Sequence, residues 1–578
     1  MSPVPAPLAG SQRGDRRPGG RAPGRRRFTL TGWGAFSLAV AGLIAVPLLT
    51  LPASFLSPRP EIWSHLLATI LPEVVVNTAV LAVGVAAGTL LLGAALAVLV
   101  TFYDFPGRRF LEWALILPLA MPAYVLTFVL LSQWEFASPI QTFLRAQFGP
   151  GFALPELRSA WGAIAILTLV LYPYVYLLGR AAFLTQASTS VDAARSLGAS
   201  HLGAILRVAL PIARPGLAAG TALAVMEALA DFGSVSLLAY RTFTETIYRT
   251  WYGFFDREAA IQLAFLLLTV TLGILALERY LRGRARYHES LSRGTVPQPA
   301  RLRGLPAALA LGLPLLLLGL AFFAPAAQLV GWSIHALERG LLSSNFLVLA
   351  RNSFVLAAVT AALAVATATA LVFGLRVAPS ALVNAAVRFA SIGYGLPGSV
   401  VAVGVIIPLA WLDRSLNLLT DQWFGVTVGL ILTGSAVGLV FAYLVRFLAV
   451  AFSAVEAQMT KIPPTLDGAA RSLGAGPARL LRRVHLPLLR TGLLTAVLLV
   501  FVDVLKELPA TALLRPFGWD TLAVAVWQAT SDSLWATAAP PALAILAVGL
   551  VPVIVLVRLS AARGTRQGAP RGAGHGRG

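Results

Sequence analysis

Glu227 and Asp231 interrupt one long apolar run, and Asp503 and Glu507 interrupt another 276 residues later, with Lys506 beside the last. A charge at mid-bilayer costs at least about 2.5–3.5 kcal/mol on insertion scales, so such residues face a bundle interior or an aqueous path. Two roles are open to them. They can line or gate a polar passage, where carboxylates attract a hard cation, or they can fix helices through salt bridges and hydrogen bonds. Adjacent residues point apart on a helix, so Lys506 does not imply a pair with Glu507. Tyr172, Tyr174 and Tyr176 invite a metal–phenolate reading. Alternate residues do not share a helix face, and the three are read as an interfacial aromatic belt. The chain has no cysteine and six scattered histidines. Thiolate chemistry, disulfides and metal-ligand spacing of the usual kinds are therefore absent from the sequence.

A second matched set lies in polar gaps. The string Ala-Ala-Arg-Ser-Leu-Gly-Ala runs from Ala193 to Ala199 and again from Ala469 to Ala475. Twelve residues after each glycine comes a Leu-Pro pair, Leu210-Pro211 with Arg214 beyond it and Leu486-Pro487 with Arg490 beyond it. The chain is a tandem duplication offset by 276 residues. Asn77-Thr78 and Asn352-Ser353, and Pro122 and Pro397, repeat at 275. Within a copy, Ala193 and Ala194 let a partner surface approach closely, and Gly198 permits a turn at little steric cost. Leu202, Ile205 and Leu206 recur at helical spacing and form one apolar face. Pro211 is expected to end that helix and open the next segment. The string predicts two short helices joined at a glycine, a docking element present once per half.

The elements that must position these residues follow from composition. The 578 residues are 57% hydrophobic and only 12% charged, with mean hydropathy +0.79. A soluble domain carries about 25% charge. Many windows exceed the length that crosses a bilayer core. Continuous apolar runs, without the short alternating segments of a barrel, predict an all-α membrane protein. Twelve spans are expected, at about 33–52, 74–101, 113–132, 161–181, 216–238, 260–278, 306–332, 352–375, 389–411, 425–448, 491–514 and 540–558. The first is read as an uncleaved helix rather than a signal peptide. Pro118, Pro122 and Pro397 should kink their helices, and Gly393, Gly395 and Gly398 should allow close packing. The formal charge of +21 reflects arginines in alternate loops and at the termini, as positive-inside orientation requires, and not a nucleic-acid surface. Both termini, the middle linker and both repeated strings are then cytosolic. The expected organisation is a disordered basic arm (1–32), a first half (33–278, docking loop 192–213), a cytosolic linker (279–305), a second half (306–558, docking loop 467–489) and a disordered basic tail (559–578). Six spans per half make the duplication a parallel repeat about an axis along the membrane normal.

The repeated string resembles the EAA loop of ABC importer permeases, whose pattern is Glu-Ala-Ala, three residues, Gly, then about nine residues to Ile-x-Leu-Pro. It departs from that pattern in small ways. The first acidic position holds Asp192; in the second copy Gly468 stands there and the acid is Asp467, one residue earlier. Val208-Ala209 and Val484-His485 precede the Leu-Pro pairs. The segments Met226–Leu237 and Thr242–Tyr248, with Leu505–Pro516 and Asp520–Leu522, are similar to the fused permeases of the ferric-iron importer family. The resemblance covers nearly the whole chain. It implies a MetI-like fold and a permease subunit of a bacterial inner-membrane importer, most simply one for ferric iron. It implies an ATPase-coupling role for Asp192, Ala193, Ala194, Gly198, Leu210 and Pro211, and for Asp467, Ala469, Ala470, Gly474, Leu486 and Pro487. It leaves Glu227, Asp231, Asp503, Lys506 and Glu507 as candidates for the translocation path or gate, and assigns no metal ligand. The implied partners are a cytosolic ABC ATPase dimer, a periplasmic substrate-binding protein and the lipid bilayer, with no nucleic acid. No phosphate-binding Gly-x-x-x-x-Gly-Lys-Ser/Thr string appears. The chain is therefore expected to be a transport subunit and not an enzyme, with no bound cofactor and with ATP used by the partner. Thiamine, sulfate, polyamine and phosphonate permeases share the architecture. An ion-coupled secondary transporter would explain the duplication but not the identical strings, and a membrane scaffold would leave the buried carboxylates unexplained.

Overall fold

A computed structural model describes residues 32–56, 60–282, 299–391 and 393–567. The expected basic arm, apart from Gly32, most of the expected linker and residues 568–578 lie outside them.

The first half comprises α1 (Gly32–Ala53), α2 (Leu71–Phe102), α3 (Arg108–Ala114), α4 (Ala123–Trp134), α5 (Ala160–Ala182), α6 (Ser188–Ser196), α7 (His201–Ala230), α8 (Gly233–Leu237), α9 (Phe243–Tyr252) and α10 (Arg257–Arg282). The second repeats it as α11 (Leu305–Glu338), α12 (Phe346–Val377), α13 (Ala381–Ala390), α14 (Gly398–Phe424), α15 (Ala436–Met459), α16 (Pro464–Ser472), α17 (Pro477–Leu505), α18 (Pro509–Leu514), α19 (Leu522–Ser531) and α20 (Trp535–Gln567). Among the described residues eleven helices are long and apolar enough to span a membrane, and twelve if one bent pair counts as a span. That pair, 108–120 with 123–148, turns by 90° at Pro122, where the extended backbone (φ −58°, ψ 139°) breaks the helix.

The landmarks read from the sequence do the same work twice. The Asn77 side-chain amide donates to the Arg241 carbonyl, and Thr78 Oγ1 accepts the Phe243 N–H. Asn352 donates to the Gly518 and Asp520 carbonyls, and Ser353 Oγ accepts the Leu522 N–H. Each pair ties the start of a long span to the short helix α9 or α19 of its half. Packing is close because small residues let backbones meet. A Cβ at Gly93 would lie 2.6 Å from Val175 Cβ, and one at Gly220 would lie 2.7 Å from Val175 Cα, so α2 and α7 both press on α5. The halves also embrace. α1 packs on α12, α13 and α14 of the second half, and α11 packs on α3 and α4 of the first. Thr50 Oγ1 donates to the Gly404 carbonyl at 3.1 Å across this seam.

Several boundaries differ from expectation, among them the spans expected at 216–238 and 491–514, which stop at Ala230 and Leu505. The spans expected at 389–411 and 425–448 lie at Gly398–Phe424 and Ala436–Met459. The apolar stretch after Phe424 is a loop. It turns at Gly425 and Gly429, both at positive φ, and is pinned by Asp413, which accepts the N–H groups of Ile431, Leu432 and Thr433 and the Thr433 hydroxyl. Pro211 and Pro487 do not end their helices. In each copy a π turn, Ile205–Ala209 or Leu481–His485, precedes the Leu-Pro pair and the helix runs on. The wider turn accommodates the proline ring that would clash in a regular helix. The closing helix continues to Gln567, past the expected boundary at 558.

Candidate functional site

The matched carboxylates stand where two long helices break inside the apolar zone. α7 stops at Ala230, and the Asp231 carboxylate accepts the N–H groups of Ser234 (2.9 Å) and Val235 (3.1 Å) and the Ser234 hydroxyl (3.0 Å). In the second half α17 stops correspondingly at Leu505. Glu507 accepts the N–H groups of Ala510 (2.9 Å) and Thr511 (3.0 Å) and the Thr511 hydroxyl (2.6 Å). Each acid thus caps the short helix that restarts the chain, satisfying donors that lipid could not. Glu507, 4% exposed, also takes Arg446 Nη1 at 2.7 Å. A buried carboxylate is tolerated when it is paired and hydrogen-bonded in this way.

These breaks from the two halves meet at one cavity of about 120 Å³. Glu227, Asp231, Tyr124 and Tyr174 line it from the first half, and Arg446, Asp503, Lys506 and Glu507 from the second. All five sequence-selected path candidates are therefore brought together. Lys506 Nζ pairs with Asp503 Oδ1 at 3.0 Å, three residues back along the chain, and not with its neighbour Glu507. No hydrogen bond of Glu227 is seen among the described residues, but its charge acts on Lys506 across the cavity, and the Tyr124 hydroxyl is buried without a hydrogen-bond partner. Four carboxylates face two cations, and both cations come from the second half. The corresponding first-half positions are Val170 and Ala230, so the cavity is symmetric in its acids and asymmetric in its bases. Gly398 belongs to this site too: a Cβ there would lie 2.5 Å from Arg446 Nη1 and 2.6 Å from Glu507 Oε1.

Sequence reasoning missed Arg446 and Tyr124. Arg446 carried the signal that marks Glu227, an ionisable side chain within an apolar run. Tyr124 follows the helix-breaking Pro122 closely, but nothing in its type announced the site. The tyrosine triplet reads differently from expectation. Tyr172 and Tyr176 are fully buried on one face of α5, four residues apart, and are not an interfacial belt. Tyr174 lines the cavity. Among the described residues no group of three or more His, Asp or Glu side chains could hold a metal ion.

The repeated strings fold alike. α6 ends in Leu197 and Gly198 (φ +91°), with the Ala199 N–H bonded to the Ala194 carbonyl. α16 ends in Leu473 and Gly474 (φ +77°), with the Ala475 N–H bonded to the Ala470 carbonyl. This six-to-one closure is the glycine-dependent helix stop. It presents Leu197 and Leu473 at 89% and 86% exposure. Ala193, Ala469 and both glycines are exposed; Asp192, Ala194, Ala470, Leu210, Pro211 and Leu486 are half-buried; Pro487 is exposed. Leu202 and Leu206 are exposed, whereas Ile205 turns inward. Asp467 is buried and faces Arg376 and His485, so it does not share the surface of the other coupling candidates.

Residues 89–287 match the family described as binding-protein-dependent transport system inner membrane component. That match lies in the first half, and the second half repeats its fold; together with the relatives below this supports a fused permease of the ABC transporter type, an all-α, multi-pass membrane protein. It is 28% identical over 493 residues to an Fe(3+)-transport system permease protein, FbpB 2, of Haemophilus influenzae, covering 84% of this chain and 89% of the relative. It is 26% identical over 261 residues to the molybdate/tungstate transport system permease protein WtpB of Thermococcus kodakarensis, covering 45% of this chain and 98% of the relative.

Proposed function

We propose that this permease forms the path by which ferric iron crosses a bacterial inner membrane. The carrying observation is the cavity between the halves, where carboxylates outnumber cations by two. An excess of negative charge in a weakly screened site favours a cation and opposes an oxyanion such as molybdate. The similarity to the Fe(3+)-transport permease extends over most of both chains, which supports the same cargo.

In this reading a periplasmic binding protein delivers iron at the outer face. A cytosolic ATPase dimer engages Leu197, Leu473 and the small residues around them. Closure of that dimer draws the two docking loops together and turns the halves about their shared axis. The cavity then opens outward to take the ion, and hydrolysis by the partner resets it inward. The chain binds no cofactor itself. Both termini and both docking loops lie in the cytosol, as the arginine distribution supports. Asp231 and Glu507 hold the broken helices in register, and Glu227 offers a carboxylate to the cavity. The test is uptake by proteoliposomes holding this chain and its cognate ATPase, with the cognate binding protein outside. Labelled ferric iron should enter, and molybdate, sulfate, phosphonate, thiamine and polyamine should not. Preferential entry of any of these would reassign the cargo while leaving the architecture in place.

A further inference from the structure

The two docking helices hang on their halves by different means. In the first half, α5 continues through a π turn, Phe183–Ala187, directly into α6. In the second, α15 stops at Met459 and α16 begins only at Pro464, with Pro463 before it. Such a break leaves terminal carbonyls without helical donors. Arg376, in the last turn of α12, supplies them. Its Nη1 donates to the Met459 carbonyl (2.9 Å), and its Nη2 to the carbonyls of Ile462 (2.9 Å) and Pro463 (3.2 Å). The same guanidinium grips Asp467 of the docking helix through Nε to Oδ2 (2.6 Å) and Nη2 to Oδ1 (3.2 Å). His485 Nε2, in the π turn of α17, lies 3.1 Å from Asp467 Oδ1, its ring edge-on to Phe373 of α12. One arginine therefore joins α12, the end of α15 and α16. At the corresponding first-half positions stand Thr101, Val191 and Ala209, all buried. The polar strap exists in one half alone.

We infer that Arg376 is a positioning residue for ATPase coupling. It straps the second docking helix across a hinge at 460–463 to α12, a span that packs on both α15 and α17. Movement of α16 is thereby carried into the second half, while α6 moves as an extension of α5. Lysine cannot substitute, because the planar fork serves a carboxylate and three carbonyls at once. The inference rests on the reading that the repeated strings dock an ATPase.

Two variants test it in proteoliposomes with the cognate ATPase inside and iron-loaded binding protein outside. The readout is stimulation of ATP hydrolysis by the loaded binding protein, beside recovered protein and retained ATPase. The triple variant Arg376→Thr, Asp467→Val, His485→Ala gives the second half the residues of the first and leaves no buried charge unpaired. It should insert and keep its ATPase, with stimulation reduced about tenfold or more, within the usual range of coupling between sites. Arg376→Lys keeps the charge and one contact with Asp467, and should show the same loss; it carries the test if the triple variant does not accumulate. Wild-type stimulation in either variant, or loss only in proportion to recovered protein, overturns the inference. Failure of the wild-type chain to retain the ATPase would instead remove the docking reading, and the strap with it.

Discussion

Gly198 and Gly474 allow the docking turn to be perturbed without touching any packing. Both sit at positive φ, +91° and +77°, and a Cβ built on either meets nothing within 4 Å. A side chain there costs only backbone strain. For an ordinary L-residue that cost is about 1–3 kcal/mol, greatest for a β-branched side chain. Since about 1.4 kcal/mol is a factor of ten, the population of the formed turn should fall roughly 5- to 150-fold per site. Asparagine tolerates the left-handed region and should cost least, so the order of loss is Asn, then Ala, then Val. The two turns lie in different halves and share no partner, so their costs should add. The assay measures membrane-inserted protein, ATPase retained on washed membranes, and uptake for each variant. Inserted protein should stay near wild type, because the turn is exposed and unpacked. Uptake should follow the graded order, and the double Val variant should also release the ATPase. Wild-type uptake in Gly198→Val, or equal loss in the Asn and Val variants, would show that the left-handed turn is not needed for coupling.

Other expectations follow from the same geometry. Glu227→Gln keeps the side chain's shape and leaves Asp503 to pair with Lys506, so uptake should fall while protein abundance holds; unchanged uptake in this variant removes Glu227 from the path. Glu507→Gln strands Arg446 in a buried site, and breaking such a pair costs about 3–5 kcal/mol, so both abundance and uptake should fall, as immunoblots and uptake in parallel will show. Asp413→Ala orphans three N–H donors at about 1–3 kcal/mol each and should make the loop 425–435 sensitive to protease, which limited digestion of membranes can read. Cysteines placed at residues 200 and 476 should resist an impermeant thiol reagent added outside intact cells; labelling there contradicts a cytosolic docking loop.

Much of this was legible in the sequence because duplication exposes constraint. A turn needing positive φ must keep its glycine in both copies, and a broken helix must keep its capping acid, so Gly198 with Gly474 and Asp231 with Glu507 stood out together. The residues that escaped notice break the symmetry. Arg446 and Arg376 replace Val170 and Thr101, so repetition could not mark them. Asp467 looked like a displaced docking acid because spacing alone does not say which way a side chain turns; the strap to Arg376 draws it inward. The misplaced spans share another cause. Apolar residues from Val426 to Leu432 read as membrane-spanning, but two glycines and the grip of Asp413 hold them as a loop.

In the proposed function the cavity between the halves carries a cation driven by a partner ATPase. Iron uptake by proteoliposomes, compared with and without internal ATP, ATPase and external binding protein, tests it most directly. Uptake should occur only when all three are present, and should be lost in Glu227→Gln with the protein still inserted. Uptake without the ATPase, sustained by an ion gradient, would contradict it.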